Sequence, residues 1–339
     1  MMIRRILETD GIFRFENGGE LPSIRIAYYC SDREYRPSDR VIWFCHALTG
    51  NANPEDWWPQ MVGPGCVFDP EKDFVVCVSM IASPYSECHP LSVNPETGKP
   101  YLLSFPRVSV RDMVRAAILV RKALGIESID LLLGPSIGGF QALEWAVMEP
   151  SVMKKAVFLA TGARVLPYLT AFNEAQRMAL KADPSFLRAE GPEGGSEGLK
   201  AARAIALISY RTFEGYNSTQ AEQEQDTMFA DRAASYERYQ GDKLLSRGFD
   251  AYSYWYLSYA VDSQNLGRGR GGVEAALSSI KARTAVISID SDVIFPPSDG
   301  RRMAESIPGA EYYEMTSTFG HDGFLIEYEQ LKVIIQKIL

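Results

Sequence analysis

The order of apolar and polar positions along the chain predicts an α/β fold. The first 40 residues alternate between the two kinds, as in Ser23–Tyr29, and this alternation is typical of antiparallel strands at a sheet edge. Further on, short runs are continuously apolar, which predicts strands that are buried on both faces of a parallel sheet. These runs are Val41–Cys45, Phe74–Met80, Ile129–Leu133, Ala156–Ala160 and Ala285–Ile289.

Helical periodicity fills the chain between and after these runs. Ser109–Leu124 is amphipathic and begins with Ser109 followed by Asp112, a variant of the capping box. Phe324–Leu339 has a helical pattern that ends the sequence. We therefore expect a mostly parallel central sheet with helices on both faces.

A long helical block separates the last two apolar runs. From about residue 162 to residue 283 the pattern is almost entirely helical, and its best segments are Phe172–Ala182, Gly198–Tyr210 and Thr227–Leu245. A block of this length between two sheet strands predicts a helical lid inserted above the sheet. The expected domains are thus an α/β domain over residues 1–161 and 284–339, and a lid over residues 162–283.

A motif for a nucleophilic serine follows the run Ile129–Leu133. Gly134-Pro135-Ser136-Ile137-Gly138 fits G-x-S-x-G, and it stands directly after a strand pattern and before a helical one. This context distinguishes the motif from a chance match of two glycines and a serine. The helix N-terminus behind such a serine offers backbone N–H groups to a developing oxyanion. The motif predicts an α/β-hydrolase fold with Ser136 as the nucleophile.

A serine nucleophile needs a base and an acid. The chain has three histidines, and in this fold the order is serine, acid, histidine. His321 alone follows Ser136, so it is the predicted base. The acid should follow the strand Ala285–Ile289, where spacing leaves Asp290 and Asp292 as alternatives.

The loop after the first apolar run is where this fold provides a second oxyanion donor. That loop is His46-Ala47-Leu48-Thr49-Gly50. We expect the backbone N–H groups of Leu48 and Ile137 to form the oxyanion hole. We interpret His46 as a hydrogen-bonded structural residue rather than a second base.

Composition and charge narrow the choice of partner and compartment. The formal net charge of −8 argues against a nucleic-acid partner, which requires a basic face. No apolar stretch approaches the ~20 residues of a membrane span, and the N-terminus lacks a signal-peptide pattern. The five cysteines have no metal-type spacing, so we expect no metal site. The cytoplasm is the expected location.

An ordered set of short motifs covers nearly the whole chain. It includes His46–Gly50 (HALTG), Asn94–Tyr101 (NPETGKPY), Ser136–Trp145, Tyr239–Lys243 (YQGDK), Gly267–Gly272 (GRGRGG) and Gly320–Leu325 (GHDGFL). With these motifs in this order, the sequence resembles the homoserine O-acetyltransferase family. The members of that family are α/β-hydrolase-fold acyltransferases of methionine biosynthesis.

The resemblance implies roles that spacing alone leaves open. It selects Asp292 as the acid, from its Ser-Asp-x-x-Phe-Pro context. It also implies that Arg203, Tyr210 and Asp322 bind the amino-acid substrate, since a zwitterion needs a cation for its carboxylate and an anion for its ammonium.

The implied reaction is a ping-pong transfer of acetyl from acetyl-CoA, as a co-substrate, to the hydroxyl of L-homoserine. It proceeds through a Ser136 acyl-enzyme, with no bound cofactor, in a homodimer formed through the lid. The chain departs from the family's pattern at Ser83–Pro90. The alternatives are a serine acceptor, a succinyl group in place of acetyl, and a plain serine esterase.

Overall fold

The structure is a computed structural model that describes residues 1–224 and 226–339. Its strands are β1 (Met2–Glu8), β2 (Phe13–Arg14), β3 (Glu20–Leu21), β4 (Arg25–Ser31), β5 (Val41–Phe44), β6 (Phe74–Val78), β7 (Leu131–Pro135), β8 (Lys155–Leu159), β9 (Arg283–Ile289) and β10 (Glu311–Met315). Within the described residues, eight of them form one sheet in the order β1-β4-β6-β5-β7-β8-β9-β10.

The sheet is parallel from β6 to β10 and antiparallel at one edge. β1 pairs with β4, and β4 with β6, in antiparallel register, as the alternating pattern of the first 40 residues predicts. The strands of the apolar runs pair in parallel, from β6 through β5, β7 and β8 to β9. β2 and β3 form a separate small hairpin.

The helices are α1 (Pro54–Trp57), α2 (Val110–Ala123), α3 (Ile137–Met148), α4 (Pro167–Ala182), α5 (Pro184–Arg188), α6 (Ser196–Tyr210), α7 (Phe213–Gln220), α8 (Arg232–Ser246), α9 (Ala251–Asp262), α10 (Val273–Ser278), α11 (Pro297–Ser306), α12 (Gly323–Ile326) and α13 (Tyr328–Ile338). In α2, Ser109 and Asp112 form the predicted capping box. Among the described residues, none of the helices combines the length and the apolar surface that a bilayer crossing requires.

Alternate residues of the parallel strands build two cores, one on each face of the sheet. On one face, Trp43 of β5 packs edge-on against Trp145 of α3, with ring centroids 4.9 Å apart. On the other face, the next residue, Phe44, packs against Phe68 with centroids 5.1 Å apart, and Leu331 of α13 belongs to the same cluster. Helices therefore cover both faces, as the continuous apolar runs predict.

The strand β10 was not predicted from the sequence. Its residues, Glu311 to Met315, include two glutamates and are mostly half-buried, because β10 lies at the sheet edge and pairs only with β9 among the described strands. An edge strand needs no continuous apolar run, so the pattern that finds buried strands misses it.

The chain between β8 and β9 contains α4 to α10. The predicted segments correspond to α4, α6 and α8, although α8 begins at Arg232 rather than Thr227. α4 packs against α6 and α9, and α6 packs against α8. The division into an α/β domain and a lid stays a proposal, which this arrangement supports.

The turn from β7 to α3 depends on glycines at two close approaches. A Cβ at Gly134 would lie 2.1 Å from the carbonyl oxygen of Gly138, and a Cβ at Gly138 would lie 2.1 Å from the carbonyl oxygen of Cys45. These oxygens belong to backbone that is fixed by the sheet and the helix. The helix can therefore start this close to β5 only because neither position carries a side chain.

We predict that Gly138→Ala lowers the free energy of unfolding by at least about 2 kcal/mol, because the new methyl group must push α3 away from the end of β5. The matched control is Gly162→Ala, whose Cβ meets its nearest neighbour at an ordinary 3.5 Å. Urea unfolding of both variants checks this. Similar unfolding midpoints for the two variants would contradict the close approach.

Candidate active site

The carboxyl ends of the parallel strands bring the predicted site residues to one edge of the sheet. Ser136 follows β7, the loop with Leu48 follows β5, Asp292 follows β9, and His321 follows β10. Parallel strands all end at the same edge, which is where α/β folds bind ligands. The edge strand β10, missed from the sequence, thus carries the loop with the predicted base.

Ser136 occupies a strained backbone conformation at the start of α3. Its φ of 57° and ψ of −125° lie outside the regions that non-glycine residues ordinarily adopt. The conformation is held by hydrogen bonds on both sides. The Ser136 N–H donates to the carbonyl of Leu159 at 3.0 Å, and the Thr161 hydroxyl donates to the Ser136 carbonyl at 2.7 Å.

Ser136, His321 and Asp292 form a continuous hydrogen-bonded chain. The Nε2 of His321 lies 2.8 Å from Ser136 Oγ, and its Nδ1 lies 2.7 Å from Asp292 Oδ2. A carboxylate only accepts, so Nδ1 carries the proton and Nε2 is free to accept from the serine hydroxyl. His321 and Asp292 are 5% and 2% exposed, so water competes little with these bonds.

The backbone fixes the carboxylate of Asp292. Its Oδ1 accepts from the N–H groups of Ile294 at 2.8 Å and Phe295 at 3.0 Å, which leaves Oδ2 for the imidazole. Asp290, the alternative that spacing allows, instead accepts from the N–H of Ser317. Of the two, the structure brings Asp292 to His321.

Opposing effects set the proton affinity of His321. Burial lowers the pKa of the imidazole, but the charge and hydrogen bond of Asp292, together with the charge of Asp322, outweigh burial and raise the pKa above its ordinary value. The rings of Phe295 and Phe324 pack on the imidazole, with centroids 5.3 and 5.5 Å away. The packing limits rotation of the base away from Ser136.

Leu48 and Ile137 lie beside Ser136, where we expected the oxyanion donors. Both line the same small cavity next to Ser136. Ile137 is the first residue of α3, so its N–H has no helical acceptor. Neither the N–H of Leu48 nor that of Ile137 forms a hydrogen bond with another described residue. Both are therefore free to donate to a negatively charged oxygen.

His46 is buried and held by the backbone, as predicted. Its Nε2 accepts from the N–H of Met80 at 3.1 Å, and its Nδ1 donates to the carbonyl of Ala47 at 2.9 Å. Burial lowers the pKa of His46 to about 4. A ring with both nitrogens engaged is not available as a second base.

Two cavities share Ser136 as a lining residue. The outer pocket, about 260 Å³, extends from Ser136 and His321 to the lid. Arg203 and Tyr210 of α6 line it, and so does Asp322, so the structure places all three predicted substrate residues around one space. Arg203 lies with its guanidinium 5.8 Å from the Tyr210 ring centroid, and its Nε has no hydrogen-bond partner among the described residues.

Asp322 has a partner that the sequence did not predict. Arg211, directly after α6, donates from Nε to Asp322 Oδ2 at 2.7 Å, and both side chains are mostly buried. Arg211 also lines the outer pocket. The ion pair fixes one oxygen of the carboxylate, and the other oxygen has no hydrogen-bond partner among the described residues.

The inner pocket is a small, mostly apolar space of about 30 Å³ beside Ser136. Its walls come from α3, the lid helices and the loop after β9, and they include Phe140, Leu169, Val261, Ile294 and Phe295. Asn173 is a polar wall residue, and its amide nitrogen already donates to Asp262 at 2.7 Å.

Sequence reasoning missed a row of lid residues along the outer pocket. Gln240, Lys243, Leu244 and Arg247 from α8 and its end line it together. Their spacing of three, four and seven residues is that of one helix face, and this was the available signal. Among the described residues, no cluster of three or more His, Cys, Asp or Glu side chains is arranged to hold a metal ion.

Comparisons with known proteins agree with this architecture. The family model for the alpha/beta hydrolase fold matches residues 40–328. Homoserine O-acetyltransferase from Cyclobacterium marinum is 40% identical over 338 residues, which are 99% of this chain and 95% of that protein.

Solved structures show the same fold. Homoserine O-acetyltransferase from Bacillus anthracis superposes with a TM-score of 0.90 at 22% identity, over 100% of this chain and 97% of that one. Esterase E22 superposes with a TM-score of 0.89 at 22% identity, over the whole of both chains. The predicted α/β-hydrolase fold is confirmed. The chain therefore belongs to the α/β-hydrolase fold family and, within it, to the homoserine O-acetyltransferase family.

Proposed function

We propose that this protein transfers the acetyl group of acetyl-CoA to the hydroxyl of L-homoserine, a step of methionine biosynthesis, with Ser136, His321 and Asp292 as its catalytic triad. The observation that carries the proposal is the hydrogen-bonded chain of these three side chains beneath a pocket lined by Arg203 and Asp322. The relatives named for this reaction support the choice of substrates.

The first half-reaction acylates the enzyme. Ser136 Oγ attacks the thioester carbonyl while His321 Nε2 takes the hydroxyl proton, and the carbonyl oxygen becomes the oxyanion. The N–H groups of Leu48 and Ile137 donate to that oxyanion. When the carbon–sulfur bond breaks, His321 returns the proton to the leaving thiolate, so that CoA departs as the thiol and acetyl-Ser136 remains.

The second half-reaction repeats the chemistry with the acceptor. His321 takes the proton of the homoserine hydroxyl, whose oxygen attacks the acetyl carbonyl. The tetrahedral intermediate collapses by breaking the bond to Ser136 Oγ. His321 then gives the proton to Ser136, and O-acetylhomoserine leaves.

Charges in the outer pocket support an amino acid as the acceptor. Arg203, with an unpartnered buried Nε, is the cation for the substrate carboxylate, and Tyr210 beside it closes the site. Asp322, held by Arg211, is the anion for the ammonium. An esterase that delivers its acyl group to water has no use for this pair of opposite charges.

The inner pocket supports acetyl rather than succinyl as the acyl group. A volume of about 30 Å³ holds a group of one or two water molecules in size. Phe140, Leu169 and Val261 offer no cation to a succinyl carboxylate, and the Asn173 amide is already engaged. Burying an unpaired carboxylate costs several kcal/mol.

Apolar side chains exposed on the lid support a homodimer. Phe213 of α7 is 80% exposed, and Met228 and Phe229, just before α8, are 85% and 82% exposed. Large apolar side chains with this exposure are typical of surfaces that contact another protein, and a second copy is the simplest partner. The cytoplasmic location stays a prediction.

We predict that acetyl-CoA leaves an adduct of about 42 Da on Ser136, and that homoserine discharges it as O-acetylhomoserine. Mass spectrometry of the intact protein, with acetyl-CoA and then with homoserine, serine or no acceptor, measures both steps. Ser136→Ala should form no adduct and should lose at least about 10⁴-fold in kcat.

The control is Arg203→Gln, which should form the same adduct but discharge it slowly to homoserine. If serine, and not homoserine, removed the acetyl group from Ser136, serine would be the acceptor in place of homoserine. Rapid loss of the acetyl group to water, with or without homoserine, would support an esterase instead.

The acidic limb of the pH profile of kcat/KM should report His321. The imidazole must be neutral to accept a proton, so activity falls as the pH drops through its raised pKa. Asp292→Asn removes the charge that raises this pKa. The limb should therefore move to lower pH while kcat falls by about 10³- to 10⁴-fold. A limb at the same pH in both proteins would exclude His321 as the titrating base.

We predict that acetyl-CoA is preferred over succinyl-CoA by at least about 100-fold in kcat/KM, because an unpaired succinyl carboxylate in the inner pocket costs about 3 kcal/mol or more. Initial rates with both donors at saturating homoserine measure the preference. Leu169→Ala enlarges the pocket without adding a cation, so it should admit propionyl-CoA better than succinyl-CoA. Equal rates with acetyl and succinyl donors in the parent protein would refute the assignment.

A further inference from the structure

The outer end of the outer pocket carries two cations on one face of α8 and its end. Lys243 and Arg247 are four residues apart, and both line the pocket and are exposed. Gln240 and Leu244 complete the same helix face. Like charges at this spacing repel each other and weaken a helix slightly. The arrangement therefore has a small cost that a bound anion would remove.

The pocket is cationic although the whole chain has a net charge of −8. Arg203, Arg211, Lys243 and Arg247 line it, and Asp322 is the one carboxylate among its described lining residues. Asp322 is already paired with Arg211. A cleft that concentrates one sign of charge in this way attracts ligands of the opposite sign.

Lys243 and Arg247 form no salt bridge with any side chain in the described part of the chain. Other lid cations do: Lys200 pairs with Asp242 at 3.0 Å, and Arg238 of α8 pairs with Asp231 at 2.7 Å. Cations near a helix C-terminus also stabilise the helix, but that effect does not require them to face the pocket.

The loop Ser83–Pro90 supports this end of α8. The hydroxyl of Tyr85 donates to the carbonyl of Arg247 at 3.2 Å, and the ring of Tyr85 packs edge-on against Phe249. Arg247 is thus fixed through its backbone while its side chain stays at the pocket mouth.

We propose that Lys243 and Arg247 bind the phosphate groups of the acyl donor, with Gln240 as an added donor of hydrogen bonds. The inference rests on the proposed function, in which acetyl-CoA is the donor. The acceptor has one carboxylate, for which Arg203 is sufficient, whereas the nucleotide end of acetyl-CoA carries several phosphate charges. Those charges lie far from the thioester, as the pocket mouth lies away from Ser136.

The test compares a donor with phosphates and a donor without them. In the double variant Lys243→Gln/Arg247→Gln, the KM for acetyl-CoA should rise about 10- to 100-fold, since each charged hydrogen bond at an exposed site contributes modestly. Acylation of Ser136 by p-nitrophenyl acetate and the KM for homoserine should stay unchanged. Added salt should raise the KM for acetyl-CoA more in the parent protein than in the variant.

The matched control is Lys200→Gln/Arg238→Gln, which removes the same charge from the lid outside the pocket and should leave the KM for acetyl-CoA unchanged. An unchanged KM for acetyl-CoA in the Lys243/Arg247 variant would overturn the proposal. Equal losses of activity with acetyl-CoA and with p-nitrophenyl acetate would also overturn it, because they would mean that the two residues only support the lid. Failure of the parent protein to be acylated by acetyl-CoA would instead refute the proposed function itself.

Discussion

The site depends on one constraint, the forced turn at Ser136 between β7 and α3. The serine adopts a φ of 57°, and α3 starts so close to β5 that a Cβ at Gly138 would lie 2.1 Å from the Cys45 carbonyl oxygen. The hydrogen bond from Thr161 to the Ser136 carbonyl helps to hold the turn. Because of this turn, the Ser136 hydroxyl points at His321, and the N–H of Ile137 is left unpaired at the start of α3. The strain is stored where the chemistry needs a fixed direction.

We assign different parts of the proposed site to the sheet and to the helices between β8 and β9. Loops at the carboxyl ends of the parallel strands carry the residues that we propose as the triad and the oxyanion donors, and their positions follow from the sheet register. We assign ligand recognition to helices between β8 and β9, with Arg203 from α6 and Lys243 from α8, and to Asp322 in the loop after β10. The same fold is found in a solved homoserine O-acetyltransferase and in a solved esterase, so the fold by itself does not decide between the two activities.

The sequence predicts best what local pattern determines. Buried parallel strands have continuous apolar runs, and the serine motif has its strand and helix context, so the core and Ser136 follow from residues alone. The choice between Asp290 and Asp292 does not, since both follow β9, and it depends on which carboxylate the turn directs toward His321. The Arg211–Asp322 pair joins residues 111 positions apart, and no local pattern encodes such a contact. The pattern of apolar runs does not predict β10, because an edge strand need not be apolar.

The turn that carries His321 also joins base and substrate recognition. Gly320 has a φ of 62°, and a Cβ there would lie 2.8 Å from the carbonyl oxygen of Tyr210, so the turn rests directly on the end of α6. Asp322 follows His321 in the same turn and is tied to Arg211 beyond α6. The carboxylate that we assign to the substrate ammonium and the imidazole that we assign to its hydroxyl therefore lie in one short turn that contacts α6. A change that shifts α6 would alter both together, which links acceptor choice to proton transfer through a single short segment.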